Sequence, residues 1–317
     1  MLARFAPFIF VVLWSSGFVG ARLGLDYAEP ATFLLMRMLA NVAVFLVLLV
    51  LLRARLPRGK DLGHSMVAGL LIHGFYLGGT YEGISMGMPA GLCALLVGLQ
   101  PILTAVLLVG FSSEKLRLSQ WIGLVIGFIG ITFVLQGNME WQQEGQREAA
   151  YSFAVLALLG ITLGTLYQKK FCQGVDMVGG AVWQYTAAAL LFVPIALTTE
   201  TMVVQWTTEF TLTLLWLVFV LSVVAIMLLL YMVKHGESSK VASTFYLVPP
   251  MTAFQAWLVF GEKFDGYGVI GFMLAACAVF LVTRKPKPKP KPKPKPKPKP
   301  KLQLQTTVGS TAKSTAL

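Results

Sequence analysis

The chain consists almost entirely of apolar runs about as long as a bilayer is thick. A helix needs about 20 mostly apolar residues to cross the hydrocarbon core. Ten such runs can be cut from the sequence, near 5–23, 31–52, 62–86, 90–110, 120–136, 151–168, 178–197, 211–233, 241–260 and 267–283. In lipid every backbone N–H and C=O must pair within the protein, so isolated runs of this length form helices. Membrane-spanning strands would show segments of about 10 alternating residues, and the sequence has none. The expected fold is an all-α membrane protein with ten transmembrane helices. Composition points the same way: 56% of residues are hydrophobic and 13% charged, with a mean hydropathy of +0.72. A soluble domain carries roughly 25% charged residues, and a surface this apolar needs lipid rather than water. Arg4 before the first run resembles the start of a secretory leader, but the run continues past Trp14 to Gly20. A retained first helix is expected.

Charge is distributed unevenly. The formal net charge is +12, but Arg284, the nine lysines from Lys285 to Lys301, and Lys313 all lie in a C-terminal stretch without acids. The remaining body holds 15 basic and 14 acidic residues. No basic surface of the kind that binds nucleic acid is indicated. Basic residues in short loops mark the cytoplasmic side. With the N-terminus inside, that side receives Arg4, Arg53, Arg55, Arg58, Lys60, Lys115, Arg117, Lys169, Lys170, Lys234 and Lys240, and the other side only Arg22, Arg147 and Lys263. Outer loops then carry the acids, among them Glu29, Glu200, Glu209 and Glu262. Both termini are expected in the cytoplasm.

The sequence also repeats. Shifting residues 94–134 forward by 148 aligns Pro101 with Pro249, Thr104 and Ala105 with Thr252 and Ala253, Glu114-Lys115 with Glu262-Lys263, and Gly123 with Gly271. The unit is five spans, and an odd number of spans turns the second copy upside down. Inverted repeats are a transporter architecture, with the substrate near midplane between the halves. The expected organisation is a first five-helix repeat over 1–137, a second over 148–283, and a Lys-Pro-rich cytoplasmic tail over 284–317. Alternating proline favours an extended chain, and the tail has no apolar surface to bury. Adhesion to an anionic leaflet and an inert solvated tail are both open.

Several separated motifs resemble a known family. They are Trp14-Ser-Ser-Gly-Phe-Val-Gly20, Glu29-Pro30-Ala-Thr-Phe33 with Arg37, Gly87-Met-Pro-Ala-Gly91, Gly98-Leu-Gln-Pro-Ile-Leu-Thr104, Val241 to Pro250, and Gly261-Glu262. Together they resemble the EamA type of the bacterial drug/metabolite transporter superfamily, over residues 1 to about 283. The resemblance implies ten helices in two inverted five-helix halves around a central cavity in the bacterial inner membrane. It also implies transport, often export, of amino acids or other metabolites. The Lys-Pro tail falls outside the pattern, and Glu82 departs from it, where an aromatic or apolar residue is expected.

Polar and small residues at helical spacing single out candidates for the transport path. The third run carries Gly69, His73, Tyr76, Thr80 and Gly83 on one face, the fourth Cys93, Val97, Gln100 and Thr104, and the ninth Ser243, Tyr246 and Pro250. Such stripes face protein or a cavity rather than lipid, either lining a path or supporting close helix packing. Cavity candidates are Trp14, too deep for an interfacial aromatic belt, with His73, Tyr76, Gln100 and Tyr246. His73 is either a proton carrier or a hydrogen-bonded interior residue. Pro101, Pro249 and Pro250 remove backbone donors at equivalent places in the two halves, as hinges or as static kinks. Arg37 and Glu82 come at similar estimated depth, as an ion pair, as a cation beside a proton-binding carboxylate, or as interfacial residues that reach water.

The three cysteines are widely spaced and show no metal or disulfide framework, so no metal or cofactor is expected. The chain has no G-x-x-x-x-G-K-[ST] and no H-E-x-x-H, and its one G-x-S-x-G, Gly83-Ile-Ser-Met-Gly87, ends an apolar helical run rather than following a strand. These features argue against an ATP-driven pump and against a membrane-embedded enzyme. The expected partners are a small-molecule substrate and the bilayer.

Overall fold

Helix starts and stops follow the local chemistry of the sequence. In the computed structural model, which describes residues 2–111, 118–136, 144–225, 227–228, 247–263 and 265–283, helix α1 is Leu2–Leu25 and α2 is Pro30–Leu51. Pro30 opens α2, where a missing N–H leaves nothing unpaired. Helix α3 (60–85) runs as Lys60–Gly69, a π-helical stretch Leu70–Phe75, and Tyr76–Ser85. It stops at Gly87, whose φ of +91° suits only glycine readily. Helix α4 (90–111) is Ala90–Val97 and Gln100–Phe111, and α5 is Leu118–Gln136.

In the second half, α6 is Arg147–Phe171 and α7 is Met177–Thr199. Asp176 caps α7 by accepting from the N–H groups of Val178 and Gly179, each at 3.0 Å. Helix α8 (208–225) passes from Thr208–Leu215 into a second π-helical stretch, Trp216–Ala225. Helix α9 is Val248–Phe260, ended by left-handed Gly261, and α10 is Gly266–Thr283. Among the described residues there is no β-strand, only an isolated antiparallel bridge between Ala28 and Val204.

Among the described residues six helices are long and apolar enough to cross a membrane: Phe5–Leu25, Pro30–Leu51, Ala90–Leu107, Arg147–Phe171, Met177–Thr199 and Thr208–Ala225. Helix α2 shows why lipid is the matching solvent. Its buried face carries Phe33, Arg37, Asn41 and Phe45, while Leu39, Leu46, Val47 and Val50 are exposed, Val50 at 75%. Polar groups inside and aliphatic groups outside reverse the order of a water-soluble helix.

The two halves pack reciprocally. Helix α2 lies against α7, α4 against α9, and α5 against α10, each five places on in helix order. Helix α3 packs on α6, as α8 packs on α1. Glycines permit the closest approaches: a Cβ at Gly79 would sit 2.4 Å from the Phe153 carbonyl, and one at Gly160 would sit 2.7 Å from the Tyr76 nitrogen. The π-helical stretches also correspond, because residues 70–75 shifted by 148 fall within 216–225.

The prolines behave differently from mid-helix kinks. Helix α4 breaks at Gly98 and Leu99, and Pro101 is the second residue of the segment that restarts. Pro249 and Pro250 likewise lie in the first turn of α9. In a first turn the backbone nitrogen has no intrahelical partner to lose. The two sites touch, because a Cβ at Gly98 would stand 2.7 Å from Pro249 Cγ. Leu95, Leu99, Ala275 and Val279 close a small apolar crevice around this contact.

Candidate functional site

The buried face of α2 is the foundation of the site. Spacing of four residues puts Phe33, Arg37, Asn41 and Phe45 in one row. Arg37 is 5% exposed, and its Nη1 donates to the Tyr81 hydroxyl at 2.9 Å. Tyr81 is held by Phe33, with ring centroids 5.3 Å apart. Asn41 is fully buried. Its Oδ1 and Nδ2, and the Nε of Arg37, have no hydrogen-bond partner among the described residues. A buried polar group without a partner is destabilising, so this row is a departure that packing alone does not explain.

Helices α3, α7 and α8 complete the surroundings. The His73 ring, in the π-helical stretch of α3, lies 4.4 Å from the Tyr185 ring of α7 and near the Gln184 side chain. Tyr185 packs on Phe45 at 5.3 Å and lies near Ser222, in the π-helical stretch of α8, whose hydroxyl donates to the Leu217 carbonyl at 3.1 Å. The Arg37 charge acts on His73, Tyr76, Tyr81 and Tyr185. No carboxylate offsets it, since the ion pair among the described residues is Arg22 with Glu262. The result is a buried cation among aromatic rings, assembled from both halves of the chain.

The structure thus brings together three of the sequence candidates, Arg37, His73 and Tyr76. Glu82 is not Arg37's partner. It follows Tyr81 on α3, about 100° further round the helix, and lies within electrostatic reach of Glu200 instead. Trp14 packs on Phe10 at 5.3 Å. Gln100 Nε2 donates to Thr165 Oγ1 at 2.8 Å, tying α4 to α6. Tyr246 lies outside the described residues, and Pro249 approaches Gly98, three residues before Pro101, at the α4–α9 contact. Sequence reasoning missed Asn41, Tyr81, Gln184, Tyr185 and Ser222. Asn41 carried a signal, being one helical turn from Arg37 in an otherwise apolar run. Among the described residues no cluster of His, Cys, Asp or Glu could hold a metal ion.

A second polar assembly ties the halves together at one end of the helices. The Glu200 carboxylate accepts from the N–H groups of Ala31 and Thr32 and from the Thr32 hydroxyl, each at 2.7 Å. Glu29 reciprocates, accepting from the Thr201 N–H at 2.7 Å and its hydroxyl at 2.6 Å. Glu262 pairs with Arg22 and caps α4, accepting from Ala90 N–H at 3.0 Å and Gly91 N–H at 3.3 Å. Glu200 and Glu262 thus cap helices of the opposite half, where the dipole favours a negative charge, while Glu29 binds Thr201 just past the end of α7. Tyr27 donates to Glu209, whose carboxylate raises the phenol's pKa above its ordinary value.

Comparison with known proteins places this arrangement in a family. Relatives include the uncharacterized transporter YdfC of Bacillus subtilis, 26% identical over 262 residues, covering 80% of this chain and 82% of that one. The uncharacterized inner membrane transporter YedA of Escherichia coli is 24% identical over 284 residues, covering 88% and 89%. A probable amino-acid metabolite efflux pump of Salmonella typhimurium is 24% identical over 290 residues, covering 87% and 93%. One solved crystal structure shares the fold with a TM-score of 0.61 at 17% identity, over 88% of this chain and 95% of its own. The EamA-like transporter family matches residues 2–136 and again 149–284. With both halves of the chain matched in this way, this multi-pass membrane protein belongs to the EamA-like transporter family.

Proposed function

We propose that this protein is a secondary transporter that exports a small metabolite such as an amino acid across the inner membrane. It does so by alternating access between two inverted five-helix halves, ten spans in all, with both termini in the cytoplasm. The observation that carries the reading is the polar cluster around Arg37, in which Arg37, Asn41, Tyr185 and Ser222 are buried and His73, Tyr76 and Gln184 half-buried, and to which the first half contributes Arg37, Asn41, His73 and Tyr76 and the second Gln184, Tyr185 and Ser222. Polar groups enclosed between two repeats mark a path through a membrane protein. The relative named as a probable amino-acid metabolite efflux pump supports the substrate class.

In this reading these acids form an outer gate. Glu29, Glu200 and Glu262 each bind backbone N–H groups of the other half. Those bonds must release for the outer side to open. The chain offers no nucleotide-binding motif, so a gradient or the substrate's own concentration difference drives flux.

The test is counterflow of radiolabelled amino acids and related metabolites in proteoliposomes. Saturable flux that an Asn41→Ala or Arg37→Gln variant loses, with insertion intact, is the expected outcome. Absence of flux across the whole panel, with oriented and monodisperse protein, would refute transport of this class.

A further inference from the structure

The row Arg37–Asn41 presents a problem of electrostatics that the fold does not solve for itself. A lone cation in a membrane interior is disfavoured by several kcal/mol even after relaxation. Proteins normally place a carboxylate beside it. Here, among the described residues, the groups around Arg37 are the hydroxyls of Tyr76 and Tyr81, the His73 ring and Tyr185, none of them a carboxylate. Tyr81 occupies Nη1 at 2.9 Å and so fixes the guanidinium, while Nε stays unpaired. One turn along α2, fully buried Asn41 offers an unpaired amide donor and acceptor.

We propose that Arg37 and Asn41 bind the carboxylate of a small, singly charged organic acid, whose apolar part lies against Tyr76, His73 and Tyr185. Three observations fit this ligand. A guanidinium edge matches a carboxylate in shape and charge, as a charge-assisted pair. A single cation neutralises a monoanion but leaves a phosphate dianion with excess charge in a low dielectric, which is costly. The rings around the cation supply an apolar and weakly polar surface, as metabolite pockets do. Tyr81 acts as a positioning residue, since it holds the guanidinium without needing to touch the acid. The inference rests on the transport reading only for the statement that the bound acid is then moved.

Binding is measured on purified protein in lipid nanodiscs by tryptophan fluorescence and calorimetry. The probes are phenylacetate, indoleacetate and isovalerate, each against its primary amide, which keeps shape and loses charge. The wild type should bind at least one carboxylate about tenfold to a hundredfold more tightly than its amide, the ratio of a charge-assisted to a neutral hydrogen bond. Arg37→Gln should erase that preference and leave amide binding within about threefold. Arg37→Lys, which keeps the charge and so the demands on folding, should retain a reduced preference. Equal binding of carboxylates and amides by the wild type overturns the proposal, as does failure of every carboxylate to bind at millimolar concentration. Retained preference in a folded Arg37→Gln protein overturns it as well. Flux is read separately in proteoliposomes. Carboxylate binding without flux would sink the transport reading and leave the site standing, whereas flux without charge preference would do the reverse.

Discussion

Glu262→Ala is the sharpest test of the gate. The carboxylate has an 8% exposed side chain, pairs with Arg22, and accepts from the N–H groups of Ala90 and Gly91. Removing it strips a helix N-terminus of its cap, worth ~0.5–2 kcal/mol. It also leaves Arg22 without its anion, although Arg22 keeps its place 4.3 Å over the Phe260 ring. Breaking one partner of a fully buried pair costs ~3–5 kcal/mol, but Arg22's side chain is 17% exposed, so solvent screening brings the cost below that range, to about 1.5–2 kcal/mol. A total of about 2–4 kcal/mol is expected, all of it lost from the state in which this end is closed. At about 1.4 kcal/mol per tenfold, the open population rises by roughly thirtyfold to several-hundredfold.

Cys93 makes a native reporter for this change. It is fully buried, one turn into α4 from the residues that Glu262 caps. With Cys172 and Cys277 replaced by serine, a membrane-impermeant maleimide should reach Cys93 from outside only when the gate opens. Labelling of Glu262→Ala should be at least about thirtyfold faster than in the parent protein, following the open population. Glu262→Gln, which can still accept from the α4 N–H groups, should fall between. A cycle with Arg22→Ala should return a coupling of ~0.5–3 kcal/mol in detergent melting. Labelling of Glu262→Ala within about twofold of the parent, which the population arithmetic does not allow, would refute the argument that this carboxylate holds the halves together.

Gly79→Val should abolish folded protein in detergent extracts, because even a Cβ there lies 2.4 Å from the Phe153 carbonyl; monodisperse expression at the parent level would contradict the α3–α6 contact. Tyr27 has a raised pKa in the fold, so its contribution is fully present below the ordinary value of 10.0 and is lost as pH rises above it. Melting followed upward from about pH 10 should therefore decline less steeply in Tyr27→Phe. Reporter fusions after Arg58, Lys170 and Lys313 should read cytoplasmic, and one near Glu209 external; a cytoplasmic signal at Glu209 would remove the proposed orientation. Truncation after Arg284 should leave insertion and flux intact, and loss of flux from an inserted, truncated protein would give the Lys-Pro tail a role that its composition does not suggest.

The large divisions of the fold were legible because lipid makes them so. Apolar length alone marks α1, α2, α6 and α7, and Pro30, Asp176 and Gly261 punctuate helices by rules that need no tertiary contact. The repeat was legible from the alignment of Pro101 with Pro249, and Gly98, three residues before Pro101, comes so near Pro249 that a Cβ would not fit. What those prolines do there was not legible. An apolar run hides the break at Gly98 and Leu99, so Pro101 reads as a kink in mid-helix when it opens a new segment. The acids at the end of the bundle read as ordinary loop charges. That Glu200 caps α2 across about 170 residues of sequence depends on how the halves meet, which no local pattern contains.

Arg37 shows where depth along a span stops being informative. Depth estimates put Arg37 and Glu82 level and suggested a pair. Two groups at one depth meet only if they also share an azimuth, and neighbouring positions on a helix differ by about 100°. Helix α3 turns Tyr81 toward α2 and Glu82 toward Glu200. The guanidinium therefore takes a hydroxyl where a carboxylate was expected. A phenol orients a cation without neutralising it, and that difference bears on function. An Arg37–Glu82 ion pair would leave no net charge for a substrate to meet. With Tyr81 in that place, the positive charge remains available in the interior, beside the unpaired amide of Asn41.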